Sequence, residues 1–239
     1  MSGKTFVVCH MLASLDGKID GAFFGAKETA PALAAYGELR KYYECQAAAY
    51  GTTTMLGSYA DGQVGELPSW GGDMPQQDWV NVKGRNMGNF IVSFDPRGEL
   101  AFSSHKLDKK GRPAAHVIQA ITEQASPAYL AYLRSRGVSY VTAGRERIDC
   151  TLLLAKLHEL FQIDRVMVAG GGVLNWSFLT VGLVDEISLV LAPVVDGSTT
   201  AASIFEAAGF LPGHSPVAFR LKEAKTLAGD ALWLRYEKR

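Results

Sequence analysis

The segment at residues 166–176 limits the possible folds of this chain more than any other. It reads Val-Met-Val-Ala, then three glycines, then the start of an apolar helix that runs to Thr180. A short apolar run of this kind is typical of a strand that is covered on both faces. Glycines let the backbone approach a bulky anion, and the first turn of a helix offers unpaired N–H groups at a positive dipole end. The segment therefore predicts a strand followed by a binding site for a nucleotide diphosphate, with a tight turn that binds nothing as the alternative.

This glycine run differs from the dinucleotide fingerprint of the Rossmann fold. The spacing G-x-G-x-x is followed by Asn175, where the fingerprint requires Gly or Ala. The run also lies near residue 170 and does not open the first strand–helix unit of the chain. If a dinucleotide binds here, we expect a different α/β fold.

Strand and helix patterns alternate along the chain without a linker, a repeat or a low-complexity block. This alternation predicts one α/β domain over residues 1–239, with a central, mainly parallel mixed sheet flanked by helices and with antiparallel C-terminal strands. The predicted strands are 5–10, 46–50, 90–93, 115–118, 138–142, 165–169, 186–192, 217–221 and 231–236. The predicted helices are 31–45, the segment from Ser126 to Gly137, the segment after Asp149 with an apolar stripe of Leu152, Leu153, Leu157 and Leu160, and a short one up to Thr180.

Residues 57–88 show little periodicity and contain seven glycines, two prolines and the tryptophans Trp70 and Trp79. A structureless stretch of this length inside a compact domain is usually functional. We therefore expect a binding loop or a lid that changes tryptophan fluorescence when substrate binds.

Other candidate binding residues follow predicted strands. The run Gly51-Thr52-Thr53-Thr54 could offer hydroxyl and amide donors to a phosphate or ribose, but taken alone it favours an ordinary polar turn. Asp16 and Lys18 flank Gly17 after the first strand, and Ser93 ends a third one. In open α/β sheets ligands bind at the carboxyl ends of strands, so these residues are expected to converge.

Composition excludes several classes of function. The 24 Lys and Arg residues balance the 24 Asp and Glu residues, so no net field attracts nucleic acid or an anionic membrane. No run of about 18 apolar residues and no signal pattern at residues 1–4 occur, and we expect a cytoplasmic chain. Three scattered cysteines and five histidines without ligand spacing predict neither disulfides nor a metal site. The motifs of common hydrolases and nucleotide triphosphatases are absent as well.

The motifs together resemble the pyrimidine reductases, the reductase domain of riboflavin biosynthesis. The resemblance rests on residues 13–19, on Gly51 to Thr54, on residues 168–172, and on the later runs 182–187 and 192–197. It implies a dihydrofolate-reductase-like fold and a homodimeric, NADPH-dependent reductase that delivers hydride to the ribose C1′ of a ribosylaminopyrimidine phosphate or a related pterin-like heterocycle. The implied cofactor-binding residues are Ala13, Thr52, Thr53, Thr54, Ser93, Gly170, Gly171, Gly172, Val173, Leu174 and Asn175. The implied substrate-binding residues are Asp16, Lys18, Arg40 and Ala169, with Asp16 as the candidate catalytic acid.

The chain departs from that family in its substrate-binding half. Ala169 stands where the family usually has a glutamate directly before the glycines, and tyrosines stand where it has an arginine before the Gly-Thr turn. Arginine is the natural bidentate partner of a phosphate. These departures leave a second hypothesis open, namely a nucleotide-binding regulatory module without turnover.

Overall fold

The computed structural model describes residues 4–68, 77–109, 111–209, 211 and 215–239. Ten strands occur in these ranges: β1 (Phe6–Ala13), β2 (Ala47–Gly51), β3 (Phe90–Phe94), β4 (Lys106–Leu107), β5 (Ala115–Ile121), β6 (Ser139–Thr142), β7 (Arg165–Val168), β8 (Glu186–Leu191), β9 (Phe219–Thr226) and β10 (Leu232–Lys238). The α-helices are α1 (Ala30–Tyr42), α2 (Thr52–Ser58), α3 (Val82–Arg85), α4 (Pro127–Ser135), α5 (Cys150–Phe161) and α6 (Gly172–Thr180). Short 3-10 helices occur at Ala22–Gly25, Lys27–Thr29 and Ala228–Asp230.

The residues group into two compact units, and the first unit contains residues 1–5 and 46–164. Within it, β2 pairs with β3, β3 with β5, and β5 with β6, all in parallel. The two-residue strand β4 pairs antiparallel with the start of β5. Every residue of β3 and β5 is buried, which explains their largely apolar sequences.

The second unit contains residues 6–45 and 165–239. Here β1 pairs in parallel with both β7 and β8, while β10 pairs antiparallel with β8 and β9. The middle strand β1 is buried along nearly its whole length. Parallel pairing in the early strands and antiparallel pairing at the C-terminus confirm the predicted α/β class.

Local capping explains where two of the helices begin. The Ser126 hydroxyl accepts a hydrogen bond from the Tyr129 amide at the start of α4, and Asp149 accepts two at the start of α5. Gly137, just after α4, has a φ of 70°, a conformation that glycine adopts without strain. The sequence predicted a helix boundary at all three of these positions.

The structure corrects four details of the sequence prediction. Residues 52–54 do not form a polar turn, because they begin α2. The described parts of the predicted loop, 57–68 and 77–88, are not structureless: they contain α3 and two isolated bridges, Gln63 with Leu100 and Trp79 with Tyr140. The strand β4 was missed. On α5 the buried residues are Cys150, Leu153, Leu154, Leu157 and Phe161, whereas Leu152 is exposed.

Three further expectations meet the structure only in part. Trp70 lies outside the described residues, so the proposed lid stays a prediction. The assignment of residues 1–239 to one domain stays a prediction too. Among the helices in the described ranges, none has the length and apolar character needed to cross a membrane.

Candidate functional site

The start of α6 has the features that a bound anion requires. Gly171 occupies the N-cap position with a φ of 81°, and no side chain caps the helix. The first intrahelical bond runs from the Asn175 amide to the Gly171 carbonyl, at 3.0 Å. Among the described residues, no acceptor bonds the amides of Gly172, Val173 or Leu174. Three N–H groups at the positive end of a helix of nine residues are therefore available to a ligand.

The two sides of this glycine turn differ. A Cβ atom built on Gly171 meets nothing within 4 Å among the described residues, so this side is open. A Cβ atom on Gly172 would lie 2.4 Å from the Ser203 carbonyl oxygen and 2.9 Å from Cγ of Glu206. The Glu206 amide also donates to the Gly172 carbonyl, at 3.1 Å. Gly172 is thus required for packing, whereas Gly171 is required for its positive φ.

Asn175 binds protein rather than solvent. It is fully buried, and its Nδ2 donates to the Ile204 carbonyl at 2.7 Å. Its Oδ1 has no hydrogen-bond partner among the described residues. The side chain therefore holds residues 203–206 against α6, and Oδ1 is its acceptor that stays unused among the described residues.

Asp16 lies in the loop after β1, and its carboxylate connects this loop by hydrogen bonds to the loop that contains Asp196 and Gly197. It accepts hydrogen bonds from the Ser14 hydroxyl at 2.5 Å and from the amides of Asp196 and Gly197 at 3.0 and 2.9 Å. These bonds, the one from Ser14 foremost, hold the pKa of the Asp16 carboxyl well below its usual range. An ionised carboxylate with three donors is suited to hold the loop in place and poorly suited to give a proton.

The other predicted residues of this unit lie in different settings. Ala13 is fully buried at the end of β1, and Ala169 is buried directly after β7. Arg40 lies in the last turn of α1 and donates to the Tyr36 hydroxyl at 3.3 Å. Lys18 is half-buried, and its ammonium has no hydrogen-bond or ion-pair partner in the described part of the chain. Its backbone pairs with that of Ser203.

In the first unit, the threonine run is partly used by the fold. The Thr52 hydroxyl donates to the Phe94 carbonyl at 2.8 Å, which fixes the start of α2 to the end of β3. Thr53 is exposed and Thr54 is half-buried. Ser93 is fully buried on β3, and its hydroxyl has no partner among the described residues. The cofactor contacts of these four residues stay predictions.

Sequence reasoning missed the segment 203–206. Its contacts with Gly172 and Asn175 cross about thirty residues of chain, and no local motif marks Glu206. The only available signal was indirect, because three consecutive glycines imply that something packs closely against one of them. Among the described residues, no group of three or more His, Cys, Asp or Glu side chains could hold a metal ion.

Comparisons with known proteins agree with the fold. The family model described as the RibD C-terminal domain matches residues 5–233. The chain is 31% identical over 231 residues to the 2,5-diamino-6-ribosylamino-4(3H)-pyrimidinone 5′-phosphate reductase of Methanothermobacter thermautotrophicus, with 96% of each chain covered.

Solved structures show the same fold at lower identity. RibD of Acinetobacter baumannii matches with a TM-score of 0.66 and 21% identity over 100% of this chain, which spans 59% of that protein. The riboflavin biosynthesis reductase Rib7 of Saccharomyces cerevisiae matches with a TM-score of 0.61 and 16% identity, covering 98% of this chain and 89% of that one. On this evidence the chain belongs to the RibD C-terminal domain family, the reductases of riboflavin biosynthesis.

Proposed function

We propose that this protein is an NADPH-dependent reductase that delivers hydride to the ribosyl carbon of a ribosylaminopyrimidine phosphate. The observation that carries the proposal is the open start of α6, where the amides of Gly172, Val173 and Leu174 have no acceptor among the described residues. A relative over nearly the whole chain is named as a reductase of such a pyrimidine. Both observations support a diphosphate-containing cofactor and a reduction.

The residues present fit a dinucleotide diphosphate. Gly171 is open on its outer side, so phosphate oxygens can approach the backbone without meeting a Cβ atom. The three amides would donate to those oxygens, and the helix dipole would favour the negative charge. When bound, NADPH would supply the hydride, and the protein would contribute binding and orientation.

Lys18 and Asp16 have separate tasks in this proposal. The Lys18 ammonium, half-buried and without a partner in the described residues, is available to bind an anionic or carbonyl group of the substrate. Asp16 keeps the loop that carries Lys18 attached to residues 196 and 197. Asp16 is therefore a positioning residue here, in place of the proton donor that the sequence suggested.

The decisive experiment measures NADPH oxidation with a panel of ribosylaminopyrimidines and pterins. We expect turnover with a ribosylaminopyrimidine phosphate, because the charged and polar groups described above suit an anionic, hydrogen-bonding substrate. NADPH binding without oxidation of any compound would instead favour the regulatory module, a reading that Ala169 motivates. Absence of NADPH binding would contradict both.

We also propose a homodimer through one face of the second unit's sheet. The alternating burial of β8 leaves Ile187, Leu189 and Leu191 half-exposed on one face, and these residues pair with Tyr236, Leu234 and Leu232 of β10. Six adjacent apolar side chains form the kind of surface that a second copy of the chain covers.

Sedimentation velocity tests this interface. We expect the wild-type protein to sediment as a dimer and Leu189→Glu to sediment as a monomer, because the charge would be buried without a partner. Leu152→Glu, on the exposed side of α5, is the matched control and is expected to leave the dimer intact. A monomeric wild-type protein would refute the proposal.

A further inference from the structure

Residues 202–206, named the strap here, connect two parts of the second unit that bear on the proposed reaction. On one side, the Ile19 amide donates to the Ala202 carbonyl at 2.9 Å, and the Ile204 amide donates to the Gly17 carbonyl at 3.2 Å. On the other side, the Glu206 amide donates to the Gly172 carbonyl, and the Asn175 side chain donates to the Ile204 carbonyl. The strap is thus fixed to the loop that carries Lys18 and to the open helix start.

The Glu206 carboxylate is held in place but only half used. Its Oε1 accepts a hydrogen bond from the Ser203 amide at 2.7 Å. Its Oε2 has no hydrogen-bond or ion-pair partner among the residues that the structure describes, and the side chain is half-buried. One oxygen fixes the orientation, which leaves the second as an acceptor with little conformational freedom to lose on binding.

Lys18 complements this acceptor. Its backbone pairs with that of Ser203, three residues before Glu206 on the strap. The paired segments around Lys18 and Ser203 therefore carry the Lys18 ammonium and the Glu206 Oε2 oxygen, and neither group has a partner among the described residues. Charged side chains that are half-buried and do not pair with each other are typical of ligand recognition.

The carboxylate also lies beside the glycine turn. A Cβ atom on Gly172 would be 2.9 Å from Cγ of Glu206, so the side chain covers this glycine. Glu206 thus brings a carboxylate to the glycine turn from a distant place in the sequence.

We propose that Glu206 is a specificity-determining residue that accepts a hydrogen bond from the exocyclic 2-amino group of a diaminopyrimidinone substrate and disfavours the corresponding uracil. This inference rests on the proposed function. The two pyrimidines differ at C2, where the first carries an amino group and the second a carbonyl oxygen. A carboxylate oxygen accepts from N–H and is repelled by a carbonyl oxygen, so it separates the two by attraction and by repulsion.

The test compares the two ribosylaminopyrimidine phosphates as substrates of the wild-type protein and of Glu206→Gln. Glutamine keeps an oxygen that can accept from the Ser203 amide, so the strap is expected to remain in place. We expect the wild-type protein to prefer the diamino compound in kcat/KM by about tenfold or more. In the variant the ratio of kcat/KM for the diamino compound to kcat/KM for the uracil compound should fall about 10- to 100-fold, mainly through a higher KM for the diamino compound.

Matched measurements separate recognition from structure. Glu38→Gln, on the exposed side of α1, is expected to keep the wild-type preference. The dissociation constant for NADPH and the melting temperature should be the same in Glu206→Gln and the wild-type protein. An unchanged substrate preference in Glu206→Gln would overturn the assignment. If NADPH also bound more tightly to this variant, Glu206 would act only as a charge near the diphosphate.

Failure of the proposed function has a different signature. If neither pyrimidine is reduced by the wild-type protein, the reductase proposal fails. Calorimetric binding of the two compounds to the wild-type protein and to Glu206→Gln then still decides the role of Glu206. Equal affinities in both proteins would refute it, and a diamino preference that only the wild-type protein shows would support it.

Discussion

At the start of α5, the Asp149 carboxylate accepts hydrogen bonds from the amides of Thr151 and Leu152, at 2.9 and 3.0 Å. At the start of α6, Gly171 has no side chain, and three amides face no acceptor among the described residues. The first helix satisfies its own N-terminus, whereas the second leaves a positive dipole end open. Of these two helix starts, only that of α6 leaves backbone donors available to a ligand among the described residues.

The largest expected effect comes from giving α6 the kind of cap that α5 has. Gly171→Asp places a carboxylate next to the open amides, where it competes with a diphosphate and repels it. There is room for the side chain, since a built Cβ meets nothing within 4 Å in the described part of the chain. We expect NADPH to bind about 100-fold more weakly or worse, a loss of about 3 kcal/mol, as measured by calorimetry.

Gly171→Asn is the control for this variant. It imposes a similar backbone strain at a φ of 81° but adds no charge. NADPH should bind to it more tightly than to the aspartate variant. Normal NADPH affinity in Gly171→Asp would contradict the assignment of the diphosphate to α6.

Both helix starts must be compared above pH 6.5, because acid is expected to destabilise both units. Burial lowers the pKa of His10 in the second unit to about 4, and that of His116 in the first unit also to about 4. Between pH 6.5 and 4 the unfolded chain therefore binds more protons than the folded one, so stability is lost as the pH falls. Each histidine can contribute up to about 3 kcal/mol.

Urea unfolding at pH 7.5, 6 and 5 measures this effect. We expect the free energy of unfolding to fall steadily over this series, and to fall less in His116→Asn than in the wild-type protein. A flat profile in the wild-type protein would show that both histidines are accessible to protons when folded.

Gly172→Ala tests the close packing of the strap against the start of α6. The added methyl group would lie 2.4 Å from the Ser203 carbonyl oxygen, so the strap must move. We expect a loss of about 2 kcal/mol in urea unfolding. Gly37→Ala in α1 is the matched control. Its Cβ would meet no atom of the described residues within 4 Å, and replacing a helical glycine is expected to stabilise by about 0.5 kcal/mol.

The smallest expected effect is the removal of the α5 cap. Asp149→Ala leaves two amides without their acceptor and should cost about 1 kcal/mol of unfolding free energy. NADPH affinity should not change, since this cap holds only its own helix. A weaker NADPH complex in this variant would show that the two helix starts are not independent.

Local chemistry explains which parts of the fold were predictable. The caps Ser126 and Asp149 act within three residues of chain, and the buried strands are marked by continuous apolar runs. Thr52 was misread because β-branched threonines disfavour helices on propensity alone. Its hydroxyl bonds the distant Phe94 carbonyl, and this tertiary contact favours the helix start.

The candidate site was predictable only where one segment contains it. The open amides of α6 follow from the glycine run, whereas the partners of Asp16 lie at residues 196 and 197. The strap contacts are equally remote in sequence. The sequence shows the Asp16 carboxylate but not its distant donors, so its catalytic role stays a prediction that came from the family resemblance.

The pairing of β1 has a consequence for synthesis on the ribosome. This strand is apolar and buried, and it is made long before both of its partners, which follow residue 164. The continuous stretch 46–164 can emerge and pair its own strands in the meantime. The nascent chain must therefore carry an unmatched hydrophobic strand until Leu191 has left the exit tunnel, an interval in which chaperone protection and translation speed influence the yield of active protein.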